Sequence, residues 1–173
     1  MSLKINIEKN HWSFNITDNN EVVLKANKPK WYSNQIKFFY TDKKYQTFEI
    51  KKKSFWSTSY NIFKTGNLIG EIPYSWKKGT HVFVLHQSDK KYEIKEEKKG
   101  GAFSSDKSYQ VLENGEKAIF AIHASFKNWK LNIDLEIFDN NKVEYELIVY
   151  AYFLIKIKRQ EKEMASSSFV SPG

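Results

Sequence analysis

Residues 142–164 read KVEYELIVYAYFLIKIKRQEKEM, and the nine positions 147–155 within them are apolar or aromatic without a break. A helix that is apolar on every side has to be enclosed, either by lipid or by protein. That choice decides the fold. Glu144 and Glu146 lie toward the front of the stretch and Lys156, Lys158 and Arg159 toward its end, the charge order that suits a helix macrodipole. Asn141 stands three residues before Glu144, the spacing of a capping box. The alternation of Val143, Tyr145, Leu147 and Val149 with Glu144 and Glu146 would also suit a strand over the first half, but a helix over 142–164 is the preferred reading. A bilayer span takes about 20 mainly apolar residues, so a run of nine between charged flanks makes a short anchor. Enclosure by protein then requires the preceding chain to wrap around it.

The preceding chain is built to wrap. Strand patterns recur at residues 3–8, 11–17, 22–26, 35–40, 45–51, 60–64, 68–72, 82–85, 92–96, 109–112, 118–124 and 129–138. In the last of these, Leu131, Ile133, Leu135 and Ile137 alternate with Asn132, Asp134 and Glu136, so one face is dry and the other wet. Turn signals separate the runs at Asp18-Asn19-Asn20, Asp42-Lys43, Thr65-Gly66-Asn67, Ser88-Asp89 and Asn114-Gly115, while Lys98-Lys99-Gly100-Gly101 is the clearest breaker. Antiparallel strands with a single dry face close on themselves, because closure removes exposed edges. About eight strands is as wide as a barrel can be and still be filled by its own side chains. The expected architecture is therefore mainly β: a closed antiparallel barrel of about twelve strands around a hydrophobic C-terminal helix, forming one domain over 1–164 with a disordered polar tail at 165–173.

Composition narrows the function classes. The 173 residues carry a formal charge of +8; residues 51–99 hold eleven lysines against five acids, a local excess of six. A basic surface attracts polyanions such as nucleic acid or acidic lipid, but it also keeps a protein soluble, which is the default reading. The absence of cysteine removes disulfides, thiol catalysis and thiolate metal sites. No apolar signal segment opens the chain, so a cytoplasmic protein is expected, and the Asn15-Ile16-Thr17 sequon then carries no weight.

Three short runs add a resemblance: Phe48-Glu49-Ile50-Lys51-Lys52-Lys53, then Tyr60-Asn61-Ile62, then Gly66-Asn67-Leu68-Ile69-Gly70-Glu71-Ile72. Together they resemble the F-x-I-x-x-K, Y-x-I and G-x-x-I/L-x-x-I run of LURP-one and scramblase barrels. In architecture the chain looks like the tubby C-terminal-like fold, a closed twelve-stranded barrel around a hydrophobic C-terminal helix. The resemblance implies lipid or membrane association, as in tubby domains, which hold phosphoinositides through basic residues. Only Lys51, Lys52 and Lys53 fall in a comparable place. The calcium-binding and cysteine-rich segments of scramblases have no counterpart here, which argues against lipid scrambling.

The candidate anion- or lipid-binding residues are Lys51, Lys52, Lys53 and Trp56, with Trp76, Lys77 and Lys78 as a second aromatic-plus-lysine group. Aromatics at a lipid interface beside lysines that hold anionic headgroups form a sound membrane site, worth about 1 kcal/mol per lysine. The same pairing suits single-stranded nucleic acid by stacking. The default alternative turns Trp56 and Trp76 into the barrel and leaves the lysines to guard loops against edge pairing. Among the histidines, His81 and His86 differ by an odd number and face opposite sides of a strand. His123 and Ser125 share a face, but a wall histidine satisfied by a neighbour is the plainer reading. Asp134 and Glu136 fit a solvated strand face. No catalytic residue, metal site or cofactor is expected. The leading functional expectation is a non-enzymatic binding or scaffold module with anionic membrane lipid as partner. A pocket at a barrel mouth serving an enzyme or ligand binder, and a tail-anchored membrane protein, are the alternatives.

Overall fold

The helix α1 spans Tyr145–Ser167, and protein encloses it. In this computed structural model, which describes residues 3–7, 13–28, 35–75, 80–86, 88, 90–97, 107–127, 130–138 and 143–167, every helical position from 147 to 155 is buried, with Ile148, Val149 and Ala151 at 0 % exposure. Rings reach α1 from well-separated parts of the wall. Phe38 and Phe83 both meet Tyr150 edge-on, at 5.7 and 6.2 Å between centroids. Phe14 meets Tyr152 at 4.7 Å and Tyr60 meets Phe153 at 5.3 Å. Such pairs add about 0.5–1.5 kcal/mol each beyond the area they bury. Among the described residues no helix is long and apolar enough to cross a membrane.

The wall consists of β1 (Leu3–Ile7), β2 (Ser13–Asp18), β3 (Glu21–Asn27), β4 (Ile36–Tyr40), β5 (Thr47–Lys52), β6 (Tyr60–Lys64), β7 (Asn67–Ile72), β8 (Tyr74–Ser75), β9 (Thr80–Leu85), β10 (Lys91–Glu97), β11 (Lys107–Glu113), β12 (Lys117–Lys127) and β13 (Lys130–Ile137). Neighbours in sequence pair antiparallel, except that β7 pairs with β9 and the two-residue β8 lies on the outer side of that order, against β9. Pairing of β9 with β10 and of β1 with β13 closes a ring of twelve strands. The period-two pattern sets the register: Ile5 faces Ile16, Ile36 faces Ile50, Phe38 faces Phe48 and Ile122 faces Leu135, all of them buried. A slip by one residue would turn these sets outward.

The expected strands all occur, with ends shifted by a few residues, and β8 adds a short thirteenth. The helix begins at Tyr145 and not at residue 142, with the Leu147 amide donating to the Glu144 carbonyl at 3.0 Å. The capping role assigned to Asn141 lies outside the described residues. At the other end α1 continues to Ser167, three residues into the segment expected as tail, and the rest of that segment lies outside the described residues.

The two mouths of the barrel differ. Around the mouth where α1 enters, turns are tight: Asn19-Asn20 and Thr65-Gly66 are two-residue loops with positive φ at both positions, the arrangement whose twist matches a hairpin. Three hairpins there, β2–β3, β6–β7 and β11–β12, carry a bulge soon after the turn. The extra residues are Val23 on β3, Ile69 on β7 and Ile119 on β12, and all three pack on the core. A bulge bends its strand and re-aims side chains. The mouth is thereby lined with aliphatics that simple alternation would have turned outward.

Candidate functional site

At the opposite mouth, where α1 leaves, β5 and β6 are joined by residues 53–59. Serines shape this loop. The Ser57 amide donates to the Ser54 carbonyl at 3.2 Å, the Ser59 amide to Ser57 Oγ at 2.9 Å, and the Lys53 amide to the Ser59 carbonyl at 2.9 Å. Side chains brace it from outside: Lys52 Nζ donates to the Phe55 carbonyl at 3.0 Å, and His81 Nε2 donates to the Thr58 carbonyl at 2.8 Å. His81 is itself buried between the rings of Tyr60 and Tyr74. The loop is thus held in shape by its own backbone, and it presents Phe55 and Trp56 to solvent at 80 % and 89 % exposure. Their rings meet at right angles, 4.9 Å apart.

This corrects the inward reading of Trp56. An aromatic pair flanked by lysines has the same pattern whether it fills a core or crowns a loop; the serine-rich turn that lifts it out is the signal that could have decided the matter. Trp76, Lys77 and Lys78 lie outside the described residues.

The three lysines before the loop do different work. Lys51 projects from the outer wall, ion-paired to Glu49 and 5.3 Å from the Phe63 ring centroid. Burial alone would raise the Glu49 carboxyl, but the ammoniums of Lys51 and Lys37 outweigh it and hold the group below its ordinary value. Lys52 is the brace on Phe55. Lys53 stands 4.0 Å from Glu71 with 59 % of its side chain exposed, and a surface pair that loose contributes little. Lys53 is therefore the ammonium of the three most available beside the aromatic tip. Behind it, Lys156, Lys158 and Arg159 sit where α1 leaves the barrel. Burial, then the charges of Lys28 and Arg159, push the Lys156 ammonium down to about 8.

At the entry mouth a cavity of about 540 Å³ opens over the start of α1. Tyr40, Phe48, Tyr92 and Tyr150 contribute rings, Ile69 and Ile119 contribute the bulge aliphatics, and Glu113, Glu144, Glu146, Lys64 and Lys90 contribute charge. Lys90 is paired with Glu113 at 2.9 Å, and the Tyr40 hydroxyl donates to Glu146. Burial, that hydrogen bond and the nearby carboxylates hold the Tyr40 hydroxyl well above its ordinary range.

On the outer wall, His123 lies directly across the ladder from Ser108, whose hydroxyl is 3.0 Å from Nδ1, while Nε2 donates to Glu136 at 2.8 Å. The partner is thus Ser108 and not Ser125. The order Ser-His-Glu matches a hydrolytic triad, but Ser108 is 2 % exposed, and a nucleophile must reach its substrate. The three groups instead tie β11, β12 and β13 together on the outside. Among the described residues no cluster of three or more potential ligands could hold a metal ion.

Comparison with protein-family models, curated proteins and solved structures finds no match to this chain.

Proposed function

We propose that this chain is a non-enzymatic docking module of tubby-like architecture that binds anionic membrane surfaces, peripherally and from the cytoplasm. The observation that carries the reading is the exposed Phe55–Trp56 pair on a hydrogen-bonded loop at the basic mouth. Large aromatics left almost fully in water lose free energy by entering the headgroup region, where rings with a polar edge are favoured. Lys53 next to them, with Lys156, Lys158 and Arg159 behind, supplies attraction to acidic lipid. The two terms act in the same direction only when this mouth faces the bilayer. That orientation leaves the acidic entry mouth in the aqueous phase. The closed barrel around a helix is the architecture the tubby-like resemblance implies, and the place of Lys51 to Lys53 at the end of β5 is in keeping with it.

Vesicle flotation with the full chain tests the proposal. Phosphatidylserine-containing vesicles should carry the protein upward at low salt, and pure phosphatidylcholine vesicles should not. Replacing both Phe55 and Trp56 by Ser should abolish the association without changing the fold. Equal recovery with the two vesicle types at low salt, where screening is weakest, would remove the reading.

A further inference from the structure

We propose that the entry mouth is a binding site for a small organic cation, an ammonium group carried on an apolar body. The cavity of about 540 Å³ has the size of a small-molecule site, roughly 300–1,000 Å³. Its aliphatic lining is supplied by the bulges at Ile69 and Ile119 together with Leu85 and Leu147. An apolar body would be desolvated there.

Charge selects the head group. Three carboxylates and two ammoniums line the cavity. Lys90 is matched to Glu113, and Glu146 accepts from Tyr40. The Glu144 carboxylate has no ion pair with a described residue and is exposed at the rim. The second ammonium, Lys64, is not ion-paired to any carboxylate among the described residues; its Nζ stands 5.4 Å from the centroid of Phe48. Lys43 Nζ stands similarly over Tyr40, at 5.7 Å. Ring faces attract cations within about 6 Å, and here two rings that line the cavity already hold the protein's own lysines. Lys64 is accordingly a stand-in that an incoming ammonium would displace from Phe48 while Glu144 receives the charge. An anion site would work the other way, with Lys64 as its principal contact.

That opposition makes the test sharp. Phenethylammonium is titrated into the full chain by calorimetry, with phenylacetate as a probe of the same body and opposite charge. Saturable binding of phenethylammonium alone is expected. Glu144→Gln should weaken it about tenfold, in line with loss of one charge-assisted contact, and Lys64→Ala should tighten it by vacating the Phe48 face. Glu144 and Lys64 are both exposed, so both variants should keep the parent's urea midpoint. Preference for phenylacetate, equal binding of the two probes, weaker binding in Lys64→Ala, or no saturable binding of phenethylammonium would each overturn the proposal. The site lies at the mouth opposite the aromatic loop, so these outcomes are independent of vesicle binding.

Discussion

The Tyr145 hydroxyl donates a 2.8 Å hydrogen bond to Asp18 Oδ2, joining the first turn of α1 to the end of β2, 127 positions earlier in the chain. The other oxygen of that carboxylate, Oδ1, is buried and has no hydrogen-bond partner among the described residues. Asp18 therefore depends on Tyr145. Tyr145→Phe should destabilise the protein by about 1–3 kcal/mol, the cost of leaving a buried polar group unsatisfied. Urea denaturation would read this as a lower midpoint at an unchanged slope, and a midpoint equal to the parent's would show that the bond does not anchor the helix.

Barrel closure makes a second demand. A Cβ at Gly70 would stand 2.6 Å from the Val84 carbonyl oxygen and 3.1 Å from Leu85 Cδ2, and both neighbours belong to β9, where the ring turns toward its β9–β10 pairing. Backbone cannot give way there as a flexible side chain would. Gly70→Ala should cost about 2 kcal/mol or more by overpacking. Gly66 has φ +84 but nothing within 4 Å of a Cβ, so Gly66→Ala should cost less. The order of the two thermal midpoints checks the claim.

Stability should depend on pH in two opposed ways. Burial, then the charges of Lys28 and Arg159, lower Lys156 from 10.5 to about 8 in the folded state. The unfolded chain binds more protons between those values, so this group makes stability rise with pH from about 8 to 10.5. Two tyrosines of α1, the partly buried Tyr145 and the buried Tyr152, act in reverse. Burial, followed for Tyr145 by its bond to Asp18, pushes Tyr145 up to about 12, and burial does the same for Tyr152. Their contribution is fully present below the ordinary value of 10 and is lost as pH rises through about 12. Denaturation midpoints across that range should first climb and then fall steeply. Lys156→Met should reduce the climb, leaving the smaller part owed to Lys28, whose ammonium burial also lowers, and spare the fall.

The aromatic loop should be energetically silent in the free protein. With Trp56 at 89 % exposure, Trp56→Ser should shift stability by no more than about 0.5 kcal/mol, the range of surface substitutions. Removing Lys52 should be different, because its Nζ braces the loop at the Phe55 carbonyl. Lys52→Met should leave the fold intact but raise hydrogen exchange across residues 53–59. Unchanged exchange there would mean that the serine turns suffice on their own.

The strands were legible because alternation and turns agree with each other: Leu131 to Ile137 reads dry-wet along β13, and Asn-Asn or Thr-Gly marks the sharp reversals. The central helix was legible from Leu147 to Ile155 because no half-exposed element can be apolar all round. The bulges were not. Inserting Ile69 or Ile119 costs only a local break in alternation, which in sequence looks like one more apolar residue in an apolar strand. A pocket at a barrel mouth is among the expectations, but its lining could not be read, since it comes from eight strands, the loop before β10 and the start of α1, segments far apart in the chain. The fate of Trp56 was hidden for a related reason: lysines beside an aromatic do not say which way the ring turns. That direction is set by hydrogen bonds among Ser54, Ser57 and Ser59.

Around the ring, pairings join strands close in sequence, save one. Leu3 meets Leu135 where β1 joins β13, and α1 follows β13 directly. Long-range pairing is the slow part of folding, because the loop it closes costs entropy before any contact repays it. During synthesis, β1 must wait with an unpaired edge until β13 has been made, and the filling emerges only after the whole wall. Shutting the wall and inserting the helix are thus coupled in time. Leu3→Ala and Leu135→Ala should both slow refolding; if neither does and both only speed unfolding, the seam forms after the rate-limiting step.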